Sequence, residues 1–182
     1  RAAGATQAHS HSQIVATPMV PLRVRDELQS CLEHWRSKRR CLFMDILDEE
    51  LRMGERIVYS NEHVVAFCPF AGYSPFEVMI LPRRQSSDYR RISPEQLHAL
   101  AEAMKVVLLK WRGALGETAY NFLLHTSPNP ASRIGVQEEF TGLEAYFQWH
   151  LDMFPRLTTT AGFEWGTGMH INPVPPEDAA AA

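Results

Sequence analysis

The sequence predicts an α+β fold, an antiparallel sheet crossed by one long helix, on three observations. Two apolar runs, IVYS and VVAFCPF, are separated only by Asn61-Glu62-His63, the spacing of a hairpin. FEVMILP at 76–82 follows as a third strand with a buried centre. Ser93-Pro94-Glu95-Gln96 then supplies an N-cap, a proline at the first helical position and a capping-box glutamine. Leu97, Leu100, Ala101, Met104, Leu108 and Trp111 follow at helical spacing, so Ser93 to Arg112 should be one helix with that face on the sheet.

The remaining elements follow in order. Residues 9–17 alternate and end at Pro18 and Pro21, which suits a strand leaving a site. From 21 to 40, Leu22, Leu28, Leu32 and Trp35 fall on one face of a helix whose basic end RSKRR suits a helix C-terminus. Cys41 to Met53 reads as a second short helix. Gly113 marks the end of the long helix. AYNFLLHT at 119–126 and AYFQWHLDMF at 145–154 complete the strands, and NPVPP with Glu177 and Asp178 opens a tail or last helix.

Composition bounds the function. The chain has 182 residues, 45% hydrophobic and 21% charged, which is enough for one domain with a core. A net charge of −3 provides no field for wrapping nucleic acid or lying on an anionic membrane, so neither is an expected partner. No apolar run suits a signal peptide or a membrane span, and Cys31, Cys41 and Cys68 are too few and too widely spaced for a disulfide framework. A cytoplasmic protein with reduced thiols is the expectation. The chain begins at Arg1, with HSHSQ following almost at once, so it is expected to lack its natural beginning.

The chemistry concentrates in His9-Ser10-His11-Ser12-Gln13. On a strand, His9, His11 and Gln13 share a face. A neutral imidazole can attack the α-phosphorus of a nucleotide, dividing one displacement into two, and the Gln13 amide can donate to a phosphate oxygen as charge builds there. An amide is no general acid. The leaving group should therefore be one that departs as a stable anion, such as a sugar 1-phosphate, rather than an amine. A bare His-x-His more often means packing, surface histidines or a metal pair.

HSHSQ followed by IVATPMVP resembles the active-site strand of the galactose-1-phosphate uridylyltransferase family, a branch of the histidine triad superfamily. RIVYSNEHVVAFCPFAGYSPFEVMILPRR, FQWHLDMFPRL and GFEWGTGMHINPVPPED resemble further family segments in the family's order. The resemblance implies a histidine-triad-like fold. It makes 1–20 the last strand of an N-terminal domain whose remainder is absent, 21–40 a linking helix and 41–182 a C-terminal domain. It also implies His11 as nucleophile, Gln13 as a catalytic and substrate-binding contact, and His9 as a ligand of a zinc whose other ligands lie outside this chain.

The same resemblance points to a second metal cluster, iron or zinc, at Glu27, His125, His150 and Asp152, with Asp152 where a histidine often stands. Hydrogen-bonded core histidines are the competing reading of that group. The zinc site that other members build on a CxxC and a later histidine is degenerate here, because Met44 and Gln85 occupy two of its positions. Phe163, Thr167 and Gly168 fall in the sugar-binding segment. Thr167 and Gly168 replace a Tyr and a Glu that contact hexose hydroxyls, which puts galactose specificity in doubt and brings the segment closer to plant ADP-glucose phosphorylase-type relatives. The implied partners are a nucleotide sugar and a sugar phosphate, in an enzyme that is often a homodimer. A non-catalytic nucleotide- or partner-binding remnant is the alternative of a different class.

Overall fold

The computed structural model describes residues 11–15, 17, 19–129 and 140–182. Two helices come first, α1 (Leu22–Lys38) and α2 (Leu42–Met53). The strands β1 (Ile57–Ser60), β2 (Val64–Phe67) and β3 (Val78–Pro82) precede the long helix α3 (Pro94–Leu115). After it come β4 (Tyr120–His125), α4 (Leu143–Tyr146), β5 (His150–Pro155), α5 (Gly162–Thr167) and α6 (Pro176–Ala181). All strand pairings are antiparallel, in the order β1-β2-β3-β5-β4. The α+β expectation and the hairpin hold.

The sheet is covered on both faces. Consecutive β2 residues point oppositely, so Val64 and Ala66 meet α3 while Val65 and Phe67 meet the layer built by α1, α2 and α4. This second layer adds to the crossing helix and uses the two N-terminal helices the sequence also predicts. Leu28, Cys31 and Leu32 of α1 and Phe43 and Leu47 of α2 are all buried, in one cluster with Val65 and Phe67 of the sheet.

The α3 N-terminus forms as its sequence predicts. The Ser93 hydroxyl accepts from the Gln96 amide at 3.2 Å, and the Gln96 side chain accepts from the Ser93 amide at 3.1 Å. The helix passes through Gly113 and ends at Gly116, whose φ of +73° the missing Cβ permits. Its buried face is Ala99, Leu100, Ala103, Val107 and Trp111, rotated from the expected one, and Leu97 is 48% exposed. Small residues at 99 and 103 let the helix approach the sheet closely. Leu100→Ala should therefore cost about 2–5 kcal/mol and Leu97→Ala less than about 1 kcal/mol in denaturant unfolding. Equal losses would mean that the packing face is misassigned.

Two expected strands differ. The run at 145–154 divides into the end of α4 and β5, because Tyr146 and Phe147 turn into the apolar layer under α1 before the sheet begins at His150. Residues 11–15 form no strand, and they pair with no strand among the described residues. An extended segment gains its backbone hydrogen bonds only from a neighbour, so alternation alone does not make it a strand. No helix among the described residues is long and apolar enough to cross a membrane.

Candidate functional site

β-Sheet register assembles the most distinctive cluster. His125 lies opposite His150 in the β4–β5 ladder, and Leu123 lies opposite Asp152, so His125, His150 and Asp152 project from the same face. That face looks toward α1, which presents Glu27. The His125 Nδ1 and Glu27 Oε2 atoms are 2.9 Å apart, His150 Nε2 is 3.9 Å from the same oxygen, and His125 Nε2 is 3.5 Å from Asp152 Oδ2. The two imidazoles stack with centroids 4.4 Å apart and planes 21° from parallel. Residues 98 positions apart in sequence thus converge on one volume.

The electrostatics are those of groups sharing too little water. Burial holds His150 down to about 4, with Glu27 opposing and the His125 charge assisting. Burial pushes Asp152 up to about 7, against the attraction of His125 and with help from Glu77 and Glu27. Burial also disfavours protonated His125, but the hydrogen bond and charge of Glu27, with Asp152 beyond, outweigh it and raise its pKa. Among the described residues, Glu27 Oε1 and Asp152 Oδ1 are buried with no hydrogen-bond partner. Such oxygens are costly unless a cation or proton meets them.

Those orphaned oxygens and two imidazoles suit a divalent cation of the zinc or iron type. Ligand atoms of Glu27, His125 and His150 all lie within 4.8 Å of one another, and Asp152 adjoins through His125. Two carboxylates and two neutral imidazoles would balance a 2+ charge. The cluster forms part of the wall of a cavity of about 770 Å³ between α1, α2 and the sheet, with Phe43, Phe67 and Phe70 as its aromatic surfaces.

The other expected site residues are distributed differently. His9 lies outside the described residues; His11 and Gln13 are exposed. At the degenerate zinc position the buried Cys41 thiol donates to the Tyr146 carbonyl at 3.3 Å, and burial raises its pKa, keeping it neutral. Met44 packs at the margin of the apolar layer, and Gln85 donates to the Glu144 carbonyl at 3.0 Å. Each of the three makes a structural contact. In the C-terminal segment, the Thr167 hydroxyl donates to the Phe163 carbonyl at 2.7 Å and accepts from the Met169 amide at 3.1 Å, while Gly168 turns the chain at φ +71°. Phe163 is 50% exposed beside Trp165 at 79%.

Sequence reasoning missed Arg23 and Tyr73. Arg23 stands four residues before Glu27, on the same helix face, and its guanidinium lies 4.4 Å from the Tyr73 ring centroid. That i, i+4 spacing was a usable signal for Arg23. Nothing local marked Tyr73.

Comparison with known proteins agrees with this organisation. Residues 27–182 match the family model for galactose-1-phosphate uridyl transferase, C-terminal domain. An ADP-glucose phosphorylase of Arabidopsis thaliana is 32% identical over 98% of this chain and 47% of its own length. A galactose-1-phosphate uridylyltransferase of Thermotoga maritima is 31% identical over 97% of this chain and 54% of its own. The crystal structure of an ADP-glucose phosphorylase from Arabidopsis thaliana with bound ADP-glucose superposes with a TM-score of 0.82 at 31% identity, covering 98% of this chain and 54% of that one. The chain spans about half the length of these relatives. With that family model matched over residues 27–182, the chain belongs to the galactose-1-phosphate uridylyltransferase family, matching its C-terminal domain.

Proposed function

We propose that the chain is the C-terminal part of a nucleotidyltransferase that moves a nucleoside monophosphate between a nucleotide sugar and a sugar 1-phosphate through a covalent intermediate on His11. The observation that carries this reading is the intact His9-Ser10-His11-Ser12-Gln13 in a chain whose similarity to nucleotidyltransferases extends over nearly its whole length. An imidazole nitrogen of His11 attacks the α-phosphorus. The N–P bond forms, the bond to the leaving phosphate oxygen breaks, and the sugar 1-phosphate departs as an anion. A phosphate oxygen of the acceptor then reverses the step, breaking the N–P bond and regenerating the imidazole. Gln13 donates to the phosphoryl oxygen in both directions.

The domain arrangement follows the same reading, with 1–20 completing a first domain, 21–40 linking and 41–182 forming the second. His9 joins a zinc site whose other ligands belong to the first domain. Glu27, His125, His150 and Asp152 hold a second divalent ion, zinc or iron. When bound, that ion ties α1 to β4 and β5 and neutralises two buried carboxylates. Phe163, Thr167 and Gly168 approach the sugar. The enzyme acts in the cytoplasm, where the three free buried cysteines remain reduced, and works as a homodimer.

A second reading keeps the chemistry and changes the substrates to ADP-glucose and inorganic phosphate. It is favoured by the 32% identity to the Arabidopsis thaliana ADP-glucose phosphorylase and by Thr167 and Gly168 in the sugar segment. Acceptor competition in the full-length protein distinguishes them. With UDP-glucose or ADP-glucose as donor, galactose 1-phosphate should be the weaker acceptor by about tenfold or more, because the Thr167 hydroxyl is engaged with the Phe163 carbonyl and the Met169 amide and Gly168 has no side chain. A strong galactose 1-phosphate preference would place sugar recognition elsewhere.

A further inference from the structure

The segment that follows β5 has little apolar anchorage of its own. Phe163, Trp165, Met169 and Ile171 are between 50% and 79% exposed, so burial does not fix where α5 sits. Directed contacts to one loop do. Tyr73 and His170 meet edge to face with centroids 4.8 Å apart, and the Asn172 amide donates to the carbonyls of Gly72 and Ser74 at 3.3 and 3.2 Å.

That loop is itself held from beneath. The buried Glu77 carboxylate accepts from the amides of Tyr73 and Ser74 at 2.7 and 3.1 Å, and Phe76 adopts φ +60°, a left-handed conformation that persists only where the surroundings fix it. Tyr73 also carries the Arg23 guanidinium, 4.4 Å from the ring centroid. Arg23 lies in the first turn of α1, close after the HSHSQ run and one turn before Glu27.

From this arrangement we infer that Tyr73 is a positioning residue for the acceptor. In contact with both Arg23 and His170, its ring sets the position of the sugar-binding segment relative to the helix that follows the HSHSQ run in sequence. This rests on the nucleotidyltransferase reading and assigns the stack a task in its second half-reaction. The donor half-reaction needs His11, Gln13 and the nucleotide. Acceptor capture needs α5 at the correct distance, and a displacement of about 1 Å in such a contact can change a rate by up to about 100-fold.

The test uses the full-length protein and separates the two half-reactions. Nucleotidylation of His11 is followed with nucleotide sugar labelled on the α-phosphate and no acceptor present. Discharge is then followed against glucose 1-phosphate and inorganic phosphate. Tyr73→Ala and Arg23→Ala should each raise the acceptor KM by about tenfold while the labelling rate stays within about twofold of the parent, and Tyr73→Phe, which keeps the ring, should restore it. Arg23→Ala removes an exterior side chain, so it remains informative if Tyr73→Ala fails to fold. Intact labelling with an unchanged acceptor KM in both variants overturns the positioning role alone. Equal loss of both half-reactions, or no rescue by phenylalanine, also overturns it. Absence of any label on His11 in the parent overturns the nucleotidyltransferase reading and this inference with it.

Discussion

His11→Gly in the full-length protein should abolish turnover, by on the order of 10⁴-fold or more, because the variant retains no atom to form the N–P bond. The glycine leaves a cavity shaped like an imidazole ring, so added imidazole should recover a small part of the donor half-reaction. His9 shares the strand face in the sequence reading but not the position beside Gln13, so its replacement should chiefly weaken zinc retention and folding. The measurement is direct. Parent protein is incubated with nucleotide sugar labelled on the α-phosphate, quenched in alkali, where phosphohistidine-type bonds survive, and the label is mapped. Undiminished labelling of His11→Gly, or label on another residue, would remove His11 from the mechanism. The 182-residue chain alone should label weakly, since most of the nucleotide pocket is proposed to come from the first domain.

Asp152→Asn should change two properties in opposite directions. In the metal-free protein, burial raises the Asp152 pKa to about 7, against an ordinary carboxylate value near 3.8. The folded chain therefore binds a proton that the unfolded chain releases. The stability this contributes is fully present below pH 3.8 and is lost as pH rises through about 7. Asparagine has no such proton to lose and nearly the same volume. Metal-free Asp152→Asn should thus melt higher than its parent at pH 8, on the order of 5 °C, with the difference closing toward pH 5.

His150, held down to about 4, acts with the opposite sign: its contribution is present above about pH 6.5 and lost as pH falls through 4, in parent and variant alike. Zinc affinity should move the other way, falling by about 10–100-fold in Asp152→Asn as a charged ligand is lost. A saturating ion should accordingly stabilise the parent more than the variant. Calorimetric titration and melting curves at the two pH values check both halves. Unaltered zinc affinity would exclude Asp152 from the ligand set, and an equal melting difference at pH 5 and pH 8 would refute the burial account.

Elements whose information is local were legible in the sequence. The Ser93–Gln96 capping box and the β1–β2 hairpin each depend on residues close together in the chain, and they appear as read. The second helical layer was harder to see, because an amphipathic α1 states that it buries a face but not against what. The α3 face was rotated for a related reason: Ala99 and Ala103 attract less notice than Leu97, yet small side chains decide how near the helix can come.

For the site, the sequence supplied the residue types and the structure supplied their company. HSHSQ carries its chemistry within five residues, and resemblance extended that reading to Glu27, His125, His150 and Asp152. Only the β4–β5 register and the placement of α1 decided that these four meet, with carboxylate oxygens left unsatisfied among them. The Tyr73 contacts were beyond reach from sequence for the same physical reason. Arg23, Tyr73 and His170 come from three distant segments, and short-range periodicity records which face of an element is apolar, whereas a contact between segments is fixed by the packing of the whole chain.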